Sequence, residues 1–236
     1  MSKIWNYGNS WEKYPIENNE IWSAGPHRVM CGDGTDISNW EKLFNGEMPD
    51  MVYSDPPWNT GNINSFRTKA GLPYADDFNV FIQKIIDNIK AKNIQISYLE
   101  AGVQNCQSII NKIRLAGGKY ISEYDITYYG KKPAKMIVFS FIDTGEQYNQ
   151  FLQSNTGTKM ILDDEETPIF AIHYQKVLQP DNKQIVVFDM CTGRGLTGRE
   201  THNQGGKFLG IELNKRRLAN LLEWYAEKGL EVKRVC

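Results

Sequence analysis

IVVFDMCTGRGLTG, residues 185–198, is the stretch on which the fold turns. Ile185, Val186, Val187 and Phe188 form an unbroken apolar run ending at Asp189, the pattern of a strand buried on both faces of a parallel sheet. Gly193-Arg194-Gly195-Leu196-Thr197-Gly198 then opens a helix. Glycines there let a ligand approach the backbone, and a helix start favours an anionic group. KFLGIEL (207–213) is the next strand, and Glu212 falls near its end, 23 residues after Asp189. That position suits a carboxylate gripping both hydroxyls of a ribose. The glycines also satisfy G-x-G-x-x-G, so a dinucleotide site is a competing reading of this segment.

Working outward, strand and helix patterns alternate. HRVMCGD (27–33) reads as a short buried strand running into a turn, and 36–46 places Trp40, Leu43 and Phe44 at helical spacing. DMVYSDPPW (50–58) is a strand stopped by two prolines, and NTGNINSFRTKAGLPY (59–74) reads as a long loop. An amphipathic helix capped by Asp76 or Asp77 carries Phe78, Phe81, Ile82, Ile85, Ile86 and Ile89. Further strands are expected at 94–99, within 119–129 and within 135–142, with a helix near 103–115. The polar segment 143–164 contains a short helix, EQYNQFLQ, and TPIFAIHYQKVL is helical. NKRRLANLLEWYAEKG is a helix closed by Gly229, and LEVKRV adds a last strand. This is the pattern of an α/β fold with a mostly parallel sheet covered by helices on both faces. The expectation is a single domain over 1–236, with 1–26 an irregular N-terminal extension.

Composition narrows the function classes. With 27 basic and 28 acidic residues the net charge is −1, which argues against a histone-like coating protein but permits a local basic groove. The four cysteines are scattered without zinc spacing, so they read as reduced thiols and no metal is expected. The start lacks a signal-peptide core, and no apolar run approaches 18 residues, so a soluble cytoplasmic protein is expected.

Asp55-Pro56-Pro57-Trp58 carries the most chemistry. Ending a parallel strand, it lies where open α/β sheets place their sites. Two prolines fix the backbone and contribute no N–H, so the loop offers carbonyl acceptors, to which Asp55 adds a carboxylate. An amino group on an aromatic ring is a poor nucleophile because its lone pair is delocalised. Two acceptors on its two hydrogens favour a pyramidal nitrogen with a localised pair. Trp58 supplies a flat face for a base held outside the helix stack. A nicotinamide enzyme has no evident use for this tetrapeptide, whereas S-adenosylmethionine suits both halves, its carboxylate meeting the glycine loop and Glu212 its ribose.

With both motifs in hand, the chain resembles the DNA amino-methyltransferases of the permuted beta group, in which DPPY/W precedes the cofactor glycine motif. The matching segments are HRVMCGDGTD, MVYSDPPWNTG, and FDMCTGRGLTG followed by FLGIELNKRRL. The resemblance implies a Rossmann-like, S-adenosylmethionine-dependent methyltransferase fold in permuted order. It implies catalytic roles for Asp55, Pro56, Pro57 and Trp58 on a flipped base. Asp33 would approach the cofactor adenine, Asp189, Thr192, Gly193 and Gly195 the methionine end, and Glu212 the ribose. Helix 165–178 would cover the methionine tail. Family members acting on cytosine N4 more often carry Ser at the position of Asp55, which favours adenine N6 in DNA. The chain departs from the family at Asp189-Met190-Cys191, where Asp-Pro-Phe is usual, and it has no large target-recognition block.

DNA contacts are expected from Asn62, Asn64, Arg67, Lys69, Lys131 and Lys132, with Lys135 nearby, and solvated surface charge is the competing reading. A homodimer or partner subunit would extend the footprint. Tyr124, Tyr128 and Tyr129 read as core aromatics, with one of them lining the base pocket as the competing reading; His27, His173 and His202 read as structural, and Lys215, Arg216 and Arg217 as an exposed helix face. Methylation of cytosine N4 or of RNA adenine remains open within the enzyme class. A non-catalytic subunit of a methyltransferase heterodimer is the reading from another class.

Overall fold

The computed structural model describes residues 10–74, 77–128, 132–146, 162–163, 166–179 and 183–235. The apolar run of the glycine motif becomes a central strand, β8 (Val186–Asp189), all four residues of which are buried. Its neighbours are β9 (Lys207–Glu212) and β3 (Met51–Ser54), both parallel to it. Beyond them lie β2 (His27–Cys31) and β4 (Ile96–Gly102), also parallel. Five parallel strands, β2-β9-β8-β3-β4, therefore form the middle of the sheet.

Antiparallel strands extend both flanks. On one side β1 (Ile21–Ala24) pairs with β2, and β10 (Val232–Arg234) pairs with β1. On the other, β6 (Lys132–Ser140) joins β4 antiparallel and β5 (Lys119–Tyr128) joins β6 antiparallel, while the two-residue β7 (Leu162–Asp163) lies parallel beside β5. The sheet is thus mixed: the parallel arrangement expected from the alternating pattern holds for its centre, and antiparallel pairs flank it.

Period-two alternation divides the core. Val52, Leu99, Phe188 and Leu209 meet α2 (Ile37–Phe44), α4 (Phe78–Lys92) and α5 (Val103–Leu115) on one face. Met51, Tyr53 and Val187 meet α6 (Thr167–Leu178) on the other. Phe208 and Val29 pack under α8 (Lys215–Glu227), and α7 (Leu196–Asn203) brings Gly198 against Phe208 and Tyr225. Helix starts follow the capping signals: the Asp77 carboxylate accepts from Val80 N–H at 3.0 Å. Ile82, Ile85, Ile86 and Ile89 of α4 are fully buried. Each contributes roughly 1.5–3 kcal/mol of apolar burial.

Two expectations are corrected. Residues 59–74, read as a loop, contain the helix α3 (Thr60–Lys69), capped by the Asn59 side chain, which accepts from Asn62 N–H at 2.8 Å. Ile63 is its one buried residue, so almost no apolar periodicity announces it. The N-terminal extension is not irregular where described. It holds α1 (Ser10–Lys13) and β1, whose four buried residues do not alternate. Gly25, at φ +54, turns β1 back into β2 through a two-residue hairpin, where primed turns require φ > 0. The expected helix over 146–153 falls almost wholly outside the described residues, as do Tyr129 and Lys131.

Strand order positions the site. From β8 the chain proceeds to β9 on one side, whereas from β3 it proceeds to β4 on the other. In open α/β sheets the ligand crevice lies where the order reverses, here at the carboxyl ends of β8 and β3. Both sequence motifs end there.

Candidate active site

Asp189 closes β8 and is 2% exposed. Its Oδ1 accepts from Ser54 Oγ at 2.7 Å and from Cys191 N–H at 2.9 Å, and its Oδ2 accepts from Thr197 Oγ1 at 2.7 Å. Burial raises this carboxyl to about 6 despite the three donors. Asp189 therefore braces the site from within, joining the end of β3 to the glycine loop and to the first turn of α7. Thr192 is also turned inward, its hydroxyl donating to the Asp189 carbonyl at 3.1 Å and its N–H to the Ile211 carbonyl at 2.9 Å.

Gly193 is half-buried with φ +57, and nothing closer than 3.7 Å would meet a Cβ there. Gly195, at φ +86, presses on Leu221, whose Cδ1 lies 2.6 Å from where a Cβ would stand. The first glycine keeps the loop open; the second lets it pack on α8.

Glu212 ends β9 with its carboxylate capping the neighbouring loops. Oε2 accepts from Gly193 N–H at 2.7 Å and Oε1 from Asn214 N–H at 2.8 Å. Burial raises its carboxyl to about 7. Across β2, Asp33 is gripped by Thr35, whose N–H and hydroxyl donate to Oδ1 at 2.9 and 2.8 Å, and by Arg67 Nη1, which donates to Oδ2 at 2.9 Å. Burial opposes ionisation, but these donors outweigh it and hold the Asp33 carboxyl below its usual range. Gly34 meets the Met190 carbonyl so closely that a Cβ would sit 2.0 Å from it. The turns after β2 and β8 thus touch beside the cleft.

On the β3 side, Pro56 is buried while Asp55, Pro57 and Trp58 are half-buried. The Trp58 indole Nε1 donates to Asp55 Oδ1 at 2.9 Å, and Asn105 Nδ2, at the start of α5, donates to the Trp58 carbonyl. The Asp55 carboxylate is oriented by the aromatic ring three residues on. Beneath them Tyr53 donates to the buried carboxylate of Glu100 on β4, and burial together with that charge raises the phenol well above its usual range. Ser54, Thr197, Asn105 and the Tyr53–Glu100 pair were not singled out from sequence. Ser54, directly before Asp55 at a strand end, is the one with a readable signal.

The expected DNA-facing residues are dispersed. Asn62 and Lys69 are exposed on α3, Asn64 is half-buried, and Lys132 opens β6 at the surface. Arg67 is not free for phosphate: its Nε donates to the Pro73 carbonyl at 2.7 Å and its Nη1 is bound to Asp33. Lys135 is tied to Glu123 at 3.0 Å and Asp125 at 2.6 Å. Tyr124 is a core aromatic beside Phe170. Arg217 is more than an exposed helix charge, since it stacks on Phe66 with its guanidinium carbon 4.9 Å from the ring centroid. Among the described residues, no three His, Cys, Asp or Glu side chains are grouped to hold a metal, and no helix is long and apolar enough to cross a membrane.

No family model and no curated protein matches the sequence. Solved structures do match in fold. TTHA0409 of Thermus thermophilus, a proposed DNA modification methylase in complex with S-adenosyl-L-methionine, superposes with a TM-score of 0.55 at 15% identity, over 86% of this chain and 95% of that one. M1.HpyAVI gives 0.53 at 14% identity, over 84% and 98%. The cytosine-N4-specific PvuII DNA methyltransferase gives 0.52 at 12% identity, over 86% of each. At these identities the likeness is one of fold: a Rossmann-like α/β architecture shared with methyltransferases.

Proposed function

We propose that this protein transfers a methyl group from S-adenosylmethionine to the exocyclic amino group of a base in DNA, with adenine N6 as the target atom. The observation that carries the reading is the Ser54–Asp189 hydrogen bond, which joins the DPPW strand end to the glycine-loop strand end across one crevice. A nucleophile-presenting motif and a cofactor-binding motif belong side by side in such an enzyme.

The residues of the cleft fit the cofactor. Gly193 leaves room for close backbone approach, Glu212 presents a carboxylate at the end of β9, and Asp33 presents another at the end of β2. On this reading Gly193 and Gly195 shape the wall at the methionine end, Glu212 accepts the ribose hydroxyls, and Asp33 accepts from the adenine amine. Asp189 and Thr192 hold the loop that does the binding. When bound, the cofactor supplies an electrophilic methyl on a sulfonium.

The chain's own contribution is positioning. Asp55 and the Pro56 carbonyl accept the two amino hydrogens of the target base, and Trp58 stacks on the base once it has left the duplex. The Trp58 indole fixes Asp55 before substrate arrives, so less reorganisation is required at the reacting nitrogen. Asn62, Asn64 and Lys69 on α3, with Lys131 and Lys132 before and at the start of β6, are the proposed DNA contacts.

The likeness to the PvuII enzyme keeps cytosine N4 as a second reading, against which stands the carboxylate at Asp55. Incubating the purified chain with tritiated S-adenosylmethionine and duplex DNA, then separating the nucleosides, tests both. Label in N6-methyldeoxyadenosine supports the first reading, label in N4-methyldeoxycytidine the second, and no label in DNA contradicts both.

A further inference from the structure

Helix α3 begins two residues after Trp58, and its last turn reaches across the cleft. Arg67 donates to Asp33 beyond β2, while Lys69 offers its carbonyl to Asn214 Nδ2 at 3.3 Å beyond β9. Arg217 of α8 covers the ring of Phe66. Asn214 in turn donates its N–H to Glu212. The end of α3 therefore bridges the two turns that carry Asp33 and Glu212. With Ile63 its single buried residue, the helix is held less by apolar burial than by these polar and stacking contacts.

Arg67 is the centre of this arrangement. Its Nη1 and Nε address two different partners, Asp33 and the Pro73 carbonyl, a planar fork that a lysine cannot reproduce. An exposed ion pair alone stabilises little. Here the guanidinium also fixes the one oxygen of Asp33 that Thr35 leaves free.

We propose that Arg67 is a positioning residue for the cofactor rather than a DNA contact: it sets the Asp33 carboxylate and straps α3 over the adenosine end of the cleft. The inference rests on the proposed S-adenosylmethionine site. Because α3 follows Trp58 directly, occupancy of the cleft and placement of the catalytic motif are coupled, and the coupling is reciprocal.

The test uses the whole chain with Arg67→Ala, Arg67→Lys, Asp33→Ala and the Ala double variant. It measures S-adenosylmethionine binding by calorimetry, amide exchange over 60–70 without ligand, and methylated-site preference on DNA. Arg67→Ala is expected to raise the cofactor Kd about 10-fold, within the usual range of coupling between sites. It should also speed exchange in α3 while α8 stays protected. Arg67→Lys should be intermediate. In the Asp33→Ala background the further loss should be under about twofold, because Arg67 acts through Asp33. A wild-type protein that binds the cofactor while Arg67→Ala leaves its Kd unchanged and shifts site preference would overturn the proposal alone. A wild-type protein that does not bind the cofactor would overturn the reading of the cleft and the proposal with it.

Discussion

Ser54 Oγ donates to Asp189 Oδ1 at 2.7 Å, and this bond links two residues 135 positions apart at the carboxyl ends of adjacent parallel strands. Ser54 is fully buried, so its hydroxyl sees Asp189 and not water. Asp55 is the next residue in the chain. Asp55, which opens the proposed catalytic motif, is thus tethered through its neighbour to the residue that opens the glycine loop.

Removing that bond leaves Asp189 with two of its three donors in a buried setting. Ser54→Ala is expected to cost about 1–3 kcal/mol of stability, measured by urea unfolding. Turnover should fall further than cofactor affinity, because the variant loosens Asp55 and leaves Gly193 and Glu212 in place. Unchanged stability and turnover would remove the brace from the account.

Glu212 gives a pH-dependent expectation. Its carboxyl is raised to about 7 by burial, so it is ionised above pH 8 and increasingly protonated below 7. A protonated carboxyl cannot accept from both ribose hydroxyls. Cofactor affinity should weaken as pH falls from 8 to 6, and Glu212→Gln should abolish that dependence. Glu212→Ala should weaken binding by roughly 1.5–3 kcal/mol, the range for a charge-assisted hydrogen bond. Calorimetry across the pH range checks all three statements.

At the opposite end of the sheet, His27 is 0% exposed. Its Nδ1 accepts from Phe208 N–H at 3.1 Å, so Nε2 carries the proton and donates to His202 Nδ1 at 3.1 Å. Burial, reinforced by the neighbouring His202 and Lys207, lowers His27 to about 3. The unfolded chain thus takes up this proton first as pH falls through 6.5, and folding stability is lost from there downward. By pH 5 the loss from this group is about 2 kcal/mol. Asp189 and Glu212, raised in the folded state, slope the other way. The clean measurement is therefore the stability difference between wild type and His27→Gln, which should shrink between pH 7 and 5.

The parallel centre of the fold was legible because its strands are continuous apolar runs, and Ile82, Ile85, Ile86 and Ile89 mark α4 by spacing alone. Helix α3 was not, because TGNINSFRTK buries one residue and its stability lies in contacts to Asp33, Asn214 and Arg217, far off in sequence. β1 was missed because its residues are covered on both faces, so no alternation survives, although Gly25-Pro26 marked its hairpin. In the site, Asp55, Gly193 and Glu212 announce themselves by residue type at a strand end. The inward turn of Asp189 and Thr192, and the capture of Arg67 by Asp33, depend on tertiary neighbours that no local pattern encodes.

Exposed charge beside the cleft should contribute sequence-independent affinity. Neutralising Lys69 and Lys132 together is expected to weaken DNA binding on all sequences and to lower the salt slope by about 1 for each phosphate left without its cation. Asn62 and Asn64 variants should instead change which sites are methylated, because amide side chains pair with base edges. Binding isotherms at several salt concentrations and sequencing of methylated sites separate the two effects. An unchanged salt slope would place phosphate binding elsewhere.

The central claim is that Asp55 presents an amino nitrogen to a methyl donor bound at the glycine loop. Its most direct measurement is tritiated methyl transfer to duplex DNA by wild type and Asp55→Ala, with cofactor binding measured on both. Wild type is expected to place label in N6-methyldeoxyadenosine. Asp55→Ala is expected to lose transfer by about 3 kcal/mol or more of transition-state stabilisation, with S-adenosylmethionine bound as tightly as before. Substantial transfer by Asp55→Ala, or a wild type that binds the cofactor and leaves DNA unlabelled, would contradict it.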